Sequence, residues 1–227
     1  MDLADFFAID RLSEHDEETL VESAMQLQQV MMLYESGIRE IKTKLDILAD
    51  ESRISGKPSP INAIKSRIKT PRSIVGKLKR RGFPVTLQSM MDNLNDIGGI
   101  RVICPFIQDI DRTAELIRAI PGVQLQTEKD YIRSPKPNGY RSYHMILTMP
   151  LRFLGNSPKT VWLEVQLRTI AMDCWANIEH QLKYKQNIPD QALLIQELKR
   201  CADEITSTDL SLQTIRDLIE HHEEEPI

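Results

Sequence analysis

Cysteine is scarce in this chain, because only three of its 227 residues are cysteines: Cys104, Cys174 and Cys201. An odd number without a Cys-x-x-Cys pair favours free thiols over a disulfide framework. Cys104 lies in an apolar run and Cys174 stands beside Trp175, so we expect both thiols to be buried.

Long apolar runs and a basic amino terminus are also missing. No segment is long and apolar enough to cross a bilayer, and residues 1–5 lack the positive charge that opens a secretory signal peptide. We therefore expect a cytoplasmic protein with no membrane partner. The formal net charge of -4 gives no general attraction to nucleic acid, so a phosphate-binding surface must be a local cluster of basic residues.

Several familiar signatures of nucleotide or acyl chemistry are absent. The sequence has no Gly-x-x-x-x-Gly-Lys-Ser/Thr loop and no Gly-x-Gly-x-x-Gly after a strand, so neither a P-loop nor a dinucleotide-binding fold is supported. Ser142 and His144 lie two residues apart on one face of a predicted strand, and the spacing supplies no catalytic triad.

Both ends of the chain are predicted to be helical. Apolar residues recur at alternating spacings of four and three over 20–48, which is a heptad seam, and a similar seam runs over 194–219 with one break at Thr208. The two seams could pack on each other, on the central domain or on another subunit. We divide the chain into an N-terminal helical region (1–57), a central domain (58–186) and a C-terminal helical region (187–227).

The central region mixes helical and strand periodicity. We predict helices over 73–81, 110–120 and 169–185, and strands over 100–103, 123–126, 143–149 and 161–168, with a hairpin loop over 150–158. These elements predict an α/β domain with a mixed sheet covered by helices.

Two of the predicted strands carry polar side chains in a row. Over 161–168, apolar residues alternate with Glu164, Gln166 and Arg168, so these three project from one face of the strand. Residues 138–144, which lead into the other strand, read Asn-Gly-Tyr-Arg-Ser-Tyr-His. Together the two segments predict the floor of a site for a charged, aromatic ligand, and a nucleotide fits that description.

Residues 65–81 form a basic segment with eight Lys or Arg residues and no acidic residue. Ser73, Lys77 and Arg80 share one face of the predicted helix, near the N-terminus, where the helix dipole favours an anion. Arg67 and Lys69 fall on one side if their stretch is extended. The segment could cradle a polyphosphate, follow a nucleic-acid backbone or remain a solvated face.

Asp96 precedes a Gly-Gly pair at the start of a predicted strand. Alone it would be a turn residue, but together with Glu164 it could hold a hard divalent cation. Magnesium needs few protein ligands where phosphate oxygens supply the others.

These motifs together resemble the synthetase domain of the RelA/SpoT family. The matching segments are 67–69, 96–101, 139–144, 164–169 and 179–185, in the family's order and spacing. The resemblance covers residues 61–185, and the chain has no room for the hydrolase and regulatory domains of the long enzymes. It therefore resembles a bacterial small alarmone synthetase.

The resemblance implies a nucleotidyltransferase-like mixed sheet flanked by helices, with long N-terminal and C-terminal helical extensions. It also implies a magnesium-dependent GTP/GDP pyrophosphokinase. Such an enzyme moves a pyrophosphoryl group from ATP to the 3′-hydroxyl of GTP or GDP and forms (p)ppGpp and AMP. The family's compact members are homotetramers held by their terminal helices, and no nucleic acid is required.

The same resemblance assigns the site residues. Those expected around ATP are Arg67, Lys69, Ser73, Lys77, Arg80 and Arg101, with the two arginines Arg67 and Arg101 at the adenine. Those expected around GTP or GDP are Lys129, Lys136, Asn138, Tyr140, His144, Gln166 and Asp173. Tyr140 would stack on the guanine. Asp96 and Glu164 would bind magnesium, and Glu164 would also take the proton from the attacking hydroxyl.

Asp173 favours the RelP-like branch of the small synthetases over the RelQ-like branch, in which an asparagine is expected at this position. Two other functions stay open at this point. One is a nucleic-acid-binding module that grips a backbone with residues 65–81. The other is a nucleotidyltransferase that transfers a nucleotide and releases pyrophosphate.

Overall fold

A five-stranded sheet forms the centre of the protein in a computed structural model that describes residues 14–152, 158–184 and 191–224. The strands are β1 (Ala63–Ile68), β2 (Gly98–Cys104), β3 (Gln124–Asp130), β4 (Tyr143–Leu151) and β5 (Lys159–Thr169). They lie in the order β1-β2-β5-β4-β3. The β2–β5 pair is parallel and the other neighbouring pairs are antiparallel, so the prediction of a mixed sheet is confirmed.

Six helices accompany the sheet within these described ranges. They are α1 (Glu14–Ile54), α2 (Pro71–Arg80), α3 (Leu87–Asn93), α4 (Ile107–Arg118), α5 (Ile170–Tyr184) and α6 (Gln191–Glu224). Every helix and strand predicted for the central region is present, with ends that differ by a few residues. The 150–158 loop prediction lies partly outside the described residues, as do the end of the 169–185 helix and the 186/187 domain boundary.

Two elements, β1 and α3, escaped sequence prediction. Strand β1 reads Ala-Ile-Lys-Ser-Arg-Ile, and its central residues are exposed because it forms an edge of the sheet, so it lacks a clear apolar alternation. Helix α3 has only seven residues, too few for a periodic pattern. Its visible signal was Thr86, whose hydroxyl accepts a hydrogen bond from the Ser89 backbone N–H as an N-cap.

Helix α1 packs its apolar seam against the central sheet. Leu27, Tyr34, Ile41 and Leu45 are buried in the core together with residues of the sheet. Of the alternatives left open for this seam, packing on the central domain is the one observed. The close approach leaves little space at Gly37, where an added Cβ would lie 2.8 Å from a methyl group of Val161.

Helix α6 packs on the domain with its seam in its first half but with a different face in its second half. Its first half packs Leu198 and Ala202 against Trp175 of α5. In its second half the polar residues Asp209, Gln213 and Arg216 are buried, whereas the apolar residues Leu210, Leu212, Ile215, Leu218 and Ile219 are exposed. The seam therefore faces outward over this half.

Polar contacts explain why the second half of α6 turns this face inward. The Thr169 hydroxyl donates to the Asp209 carboxylate at 2.7 Å, and Arg216 donates to the buried Asp109 of α4 at 2.8 Å. Thr208, where the apolar seam is interrupted, is exposed. The helix continues through this position, and the Thr208 hydroxyl donates back to the Glu204 carbonyl oxygen at 3.1 Å.

The three cysteines are free thiols. Burial raises the pKa of the Cys104 thiol to about 12, as expected for a core position. The prediction for Cys174 is wrong, because its side chain is exposed. Helix α5 turns Trp175 toward α6, and adjacent helical residues point about 100° apart. None of the helices in the described ranges combines the length and apolarity needed to span a bilayer.

Candidate active site

A cavity of about 630 Å³ opens on one face of the sheet, beside α5. Nine of the fifteen site residues expected from the sequence line it: Arg67, Asp96, Arg101, Lys136, Asn138, Tyr140, His144, Glu164 and Gln166. Strand register brings them together. Lys65, Arg101, Gln166, His144 and Lys129 stand opposite one another on the five adjacent strands and form one row across the sheet.

A second row crosses the sheet two residues along. Arg67 of β1 stands opposite Gly99 of β2, which stands opposite Glu164 of β5. Because Gly99 has no side chain, the floor of the cavity is open between the arginine and the carboxylate. The sequence left open whether the stretch that contains Arg67 is extended. This stretch is strand β1, and the Arg67 side chain lines the cavity.

Asp96 is held by the two lysines expected at the phosphates. The Lys69 and Lys77 ammonium groups donate to Asp96 Oδ2 at 2.5 and 2.6 Å. A backbone hydrogen bond from Lys69 to the Ile97 carbonyl oxygen fixes the end of β1 beside Asp96. Burial alone would raise the pKa of Asp96, but the two lysines outweigh it and hold this pKa below its ordinary value. The carboxylate is therefore charged at neutral pH.

Glu164 receives a hydrogen bond on each carboxylate oxygen. His144 Nδ1 lies 3.1 Å from Oε1, and Gln166 Nε2 donates to Oε2 at 2.8 Å. Burial again favours a raised pKa, yet the contacts with His144 and Gln166 prevail and lower the pKa of Glu164. Asp96 also acts on this pKa through its charge, so the two carboxylates lie close enough to interact.

Tyr140 stands in an aromatic cluster at one end of the cavity. Its ring contacts Tyr131, His144 and Trp175 at centroid distances of 6.1, 5.9 and 6.5 Å. The Lys136 ammonium lies 4.6 Å from the Tyr140 ring centroid and 4.7 Å from that of Tyr131. This cation therefore lies over the ring that was expected from the sequence to carry the guanine.

Asp173 is almost fully buried beneath the cavity and is not part of its lining. Its carboxylate binds Lys65, Arg101 and Arg168 at 3.0, 3.0 and 3.2 Å, and it accepts a further hydrogen bond from Asn177. Arg101 was expected at the adenine and Asp173 at the guanine, but an ion pair joins the two side chains.

Of the six expected residues that do not line the cavity, Lys69 and Lys77 contact Asp96, and Asp173 contacts Arg101. The other three are Ser73, Arg80 and Lys129. Ser73 is in the first turn of α2, where its backbone N–H bonds the Thr70 hydroxyl, and Arg80 is exposed at the end of the same helix. Lys129 is exposed on the edge strand β3, at the outer end of the row that contains His144.

Arg168 is the main residue for which sequence reasoning assigned no role. It lines the cavity although only 4% of it is exposed, and it contacts Ser142, Tyr140, Gln166 and Asp173. The alternation of β5 did place it on the same face as Glu164. What the sequence could not reveal was its set of partners, which come from three separate parts of the chain.

The site contains two carboxylates that suit a hard cation. Asp96 Oδ1 is buried without a hydrogen-bond partner, which leaves this oxygen available as a ligand. Among the residues that the structure describes, there is no cluster of three or more His, Cys, Asp or Glu side chains around one point. Two carboxylates suffice for magnesium when phosphates complete its coordination.

Comparisons with known proteins agree with this geometry. Residues 66–189 match the family described as "Region found in RelA / SpoT proteins". GTP pyrophosphokinase YwaC of Bacillus subtilis is 40% identical over 173 residues, which cover 76% of this chain and 82% of YwaC.

Two solved structures of small alarmone synthetase 1 from Bacillus subtilis share the fold. The form bound to its product pppGpp has a TM-score of 0.78 and 32% identity, over 86% of this chain and 99% of that one. The form bound to AMPCPP has a TM-score of 0.72 and 30% identity, over 87% and 99%. With its sheet, its cavity and its sequence all in agreement, this chain belongs to the RelA/SpoT family.

Proposed function

We propose that this protein is a GTP/GDP pyrophosphokinase, which transfers the β,γ-pyrophosphoryl group of ATP to the 3′-hydroxyl of GTP or GDP. The proposal is based on one observation: Asp96, Glu164, several basic residues and Tyr140 line the same cavity, with His144 in contact with both Tyr140 and Glu164. The relative YwaC has this activity in its name, and a structurally similar synthetase binds pppGpp as its product. The products here are (p)ppGpp and AMP. A cytoplasmic location is part of the same proposal.

The basic side of the cavity is proposed to bind ATP. Lys69 and Lys77 lie together on Asp96, and incoming phosphate oxygens offer both ammonium groups a new anionic partner. Ser73 and Arg80 are on the same helix as Lys77 and extend the positive surface. The remaining proposed ATP contacts, at the adenine, are Arg67 and Arg101.

The aromatic side is proposed to bind the acceptor nucleotide. Guanine stacks on Tyr140, and Lys136 leaves the ring face and moves toward the acceptor phosphates. Lys129 adds charge from the neighbouring strand. The polar groups proposed around the guanine and its ribose are Asn138, His144, Gln166 and Asp173. Because residue 173 is an aspartate, we propose that the protein is RelP-like. The Asp173 carboxylate reaches the guanine only if its ion pairs with Lys65 and Arg101 rearrange.

Asp96 and Glu164 are proposed to hold magnesium. Both carboxylates have a lowered pKa, and one oxygen of Asp96 has no other partner. When bound, the ion would neutralise negative charge on the phosphate oxygens. The two lysines on Asp96 must shift toward the ATP phosphates before this carboxylate is fully available.

The chemical step needs in-line positioning and charge neutralisation. The acceptor 3′-oxygen forms a bond to the β-phosphorus of ATP, while the bond from that phosphorus to the α,β-bridging oxygen breaks. The electron pair leaves with AMP, and the hydroxyl proton passes to Glu164. Because the pKa of Glu164 is low, proton transfer becomes favourable only as the new O–P bond acidifies the hydroxyl.

We also propose a homotetramer in which α6 contributes to the subunit contacts. Ile215, Leu218 and Ile219 of α6 are each more than half exposed and lie on one side of the helix. A stripe of this kind on a folded subunit is suited to pack against a second copy of the same helix.

The test is to incubate the purified protein with magnesium, γ-labelled ATP and GTP or GDP, and to resolve the products. Label on a guanosine penta- or tetraphosphate, with AMP formed in equal amount, supports the proposal. Release of pyrophosphate with AMP joined to an acceptor would instead identify a nucleotidyltransferase.

A further inference from the structure

Arg168 is a buried cation that directs hydrogen bonds into the candidate active site. We propose that Arg168 is a positioning residue: it sets the direction of two hydrogen-bond chains that end on the two carboxylate oxygens of Glu164. The inference rests on the proposed function, since it concerns how the proton acceptor of that reaction is held. Arg168 itself acts through other residues and not on the reacting atoms.

The first chain passes through Gln166. Arg168 Nη2 donates to Gln166 Oε1 at 3.0 Å, and Gln166 Nε2 donates to Glu164 Oε2 at 2.8 Å. A guanidinium can only donate, so the amide must turn its oxygen toward Arg168 and its NH₂ group toward Glu164. One oxygen of the carboxylate is thereby fixed.

The second chain passes through Tyr140 and His144. Arg168 Nη2 donates to the Tyr140 hydroxyl oxygen at 2.7 Å, and this hydroxyl lies 2.9 Å from His144 Nε2. Because the hydroxyl oxygen accepts from Arg168, its own proton is directed to Nε2. His144 therefore carries its proton on Nδ1, which faces Glu164 Oε1 at 3.1 Å.

Arginine suits this position for a geometric reason. Its Nε donates to the Ser142 hydroxyl at 3.4 Å and its Nη1 to Asp173 at 3.2 Å, which anchors the planar group. The two hydrogens of Nη2 then point at two different acceptors. A lysine has no planar fork and cannot be anchored in this way while it serves both chains.

A purely structural role would have different consequences. If Arg168 only neutralised the buried Asp173, its replacement would lower stability and would reduce turnover by the same factor whatever residue stands at position 164. If it positions Glu164, its effect on turnover must disappear once the carboxylate has been removed, because residues that act as a unit are not additive.

A double-mutant cycle separates the two roles. We expect Arg168→Lys to lower kcat by about 10²-fold, with an unchanged KM for ATP. In a Glu164→Gln background, the same substitution should leave the residual kcat unchanged. Equal losses in both backgrounds would overturn the proposal. Tyr140→Phe keeps the aromatic ring but removes the second hydrogen-bond chain alone, so we expect a smaller loss of kcat than in Arg168→Lys. An unchanged kcat in Tyr140→Phe would exclude the second chain.

Arg118→Lys is the matched control. Arg118 also donates to a tyrosine hydroxyl and a carboxylate, those of Tyr143 and Glu128, but outside the cavity, so normal kinetics are expected.

The direction of the second chain is tested without turnover. Long-range ¹H–¹⁵N NMR of the unliganded protein, with His144 assigned from the spectrum of His144→Gln, reports which ring nitrogen carries the proton. We expect the Nδ1–H form in the wild type and a mixture of both forms in Arg168→Lys. An Nε2–H form in the wild type would overturn the proposal. If the wild-type protein transfers no label, the proposed function is contradicted but the role of Arg168 is not. The tautomer of His144 would still show whether the second hydrogen-bond chain runs from Arg168 to Glu164.

Discussion

Asp96 and Glu164 of the candidate site are each held as an anion by hydrogen-bond donors. Asp96 has two ammonium groups on one oxygen, and Glu164 has one hydrogen bond on each oxygen. Both arrangements lower the pKa in spite of burial. Asp96 and Glu164 thus present negative charge, which the proposed reaction would need for its cation and its proton acceptor.

Glu164→Gln tests this view at the level of a single residue. The amide keeps the size of the side chain but can neither carry charge nor accept the proton, so we expect kcat to fall by about 10²–10⁴-fold. Binding of ATP and GTP analogues without magnesium, measured by calorimetry, should change little. Glu51→Gln, on the exposed surface of α1, is the control and should keep normal turnover. Near-normal turnover of Glu164→Gln would refute both roles of this residue.

At the scale of elements, the acceptor segment before β4 depends on contact with α6. Gly139 has a φ of +86°, and a Cβ added there would lie 2.6 Å from the Cβ of Ala202 on α6. The glycine is therefore required both for its backbone conformation and for the close approach of the helix. Through this contact α6 supports the segment that carries Asn138 and Tyr140.

We predict that Gly139→Ala weakens acceptor binding more than donor binding. The clash should push the segment away from α6 and cost about 1–3 kcal/mol of stability beyond the strain of a left-handed residue. Gly82→Ala is the control, because Gly82 has a φ of +73° but nothing within 4 Å of the added Cβ. Chemical denaturation and calorimetry with GTP and ATP analogues measure the two effects. Equal destabilisation of the two variants would mean that the α6 contact has no influence.

A second prediction concerns the contact between α6 and the end of β5. Burial raises the pKa of Asp209, opposed by the smaller effect of its hydrogen bond from Thr169. The native state then binds this proton more tightly than the unfolded chain does. The charged carboxylate therefore reduces stability above its native pKa, and the loss is recovered as the pH falls through that value.

Asp209→Asn keeps an acceptor for Thr169 and removes the charge. We expect a higher Tm than the wild type at about pH 8 and a difference that shrinks toward about pH 4. Thermal melts followed by circular dichroism across this range measure it. Asp203→Asn, on the exposed side of the same helix, should give no gain, because the pKa of Asp203 is lowered, chiefly by its hydrogen bond from Lys199. A gain for Asp209→Asn that is independent of pH would contradict this explanation.

At the scale of the whole molecule, the two helical ends have different roles. The seam of α1 is used within the subunit, where it covers the sheet. The second half of α6 instead turns polar side chains inward and leaves its apolar residues exposed. This difference makes α6 the helix that we expect at a subunit contact.

Ile215→Lys tests the proposed homotetramer. A charge in the middle of the exposed stripe should be tolerated by the isolated subunit but not by a buried contact, so we expect dissociation. Light scattering coupled to size-exclusion chromatography should give a mass near four times the 26.1 kDa of one chain for the wild type and a smaller mass for the variant. Gln88→Lys, at an exposed position of α3, is the control and should keep the wild-type mass. A wild-type monomer would refute the tetramer.

The sequence alone determined the central strands and the face on which Glu164, Gln166 and Arg168 lie. The side-chain period of a strand is two, so alternation within eight residues is enough to assign a face. The resemblance to a known family was enough to assign the motif residues to an ATP site and to a GTP or GDP site. The edge strand β1 and the short α3 could not be predicted, because neither contains a full apolar period.

Only the tertiary structure decided which distant residues meet. Asp173 binds Lys65, which is 108 residues away, and the two lysines of the basic segment meet on Asp96. The outward turn of the α6 seam was likewise decided by Thr169 and Asp109, which offer polar partners in the domain. Partners of this kind are selected by strand register and helix docking, and buried polar groups must find hydrogen bonds wherever the fold supplies them. Local sequence fixes where a side chain points, whereas the packing of the whole domain fixes what it contacts.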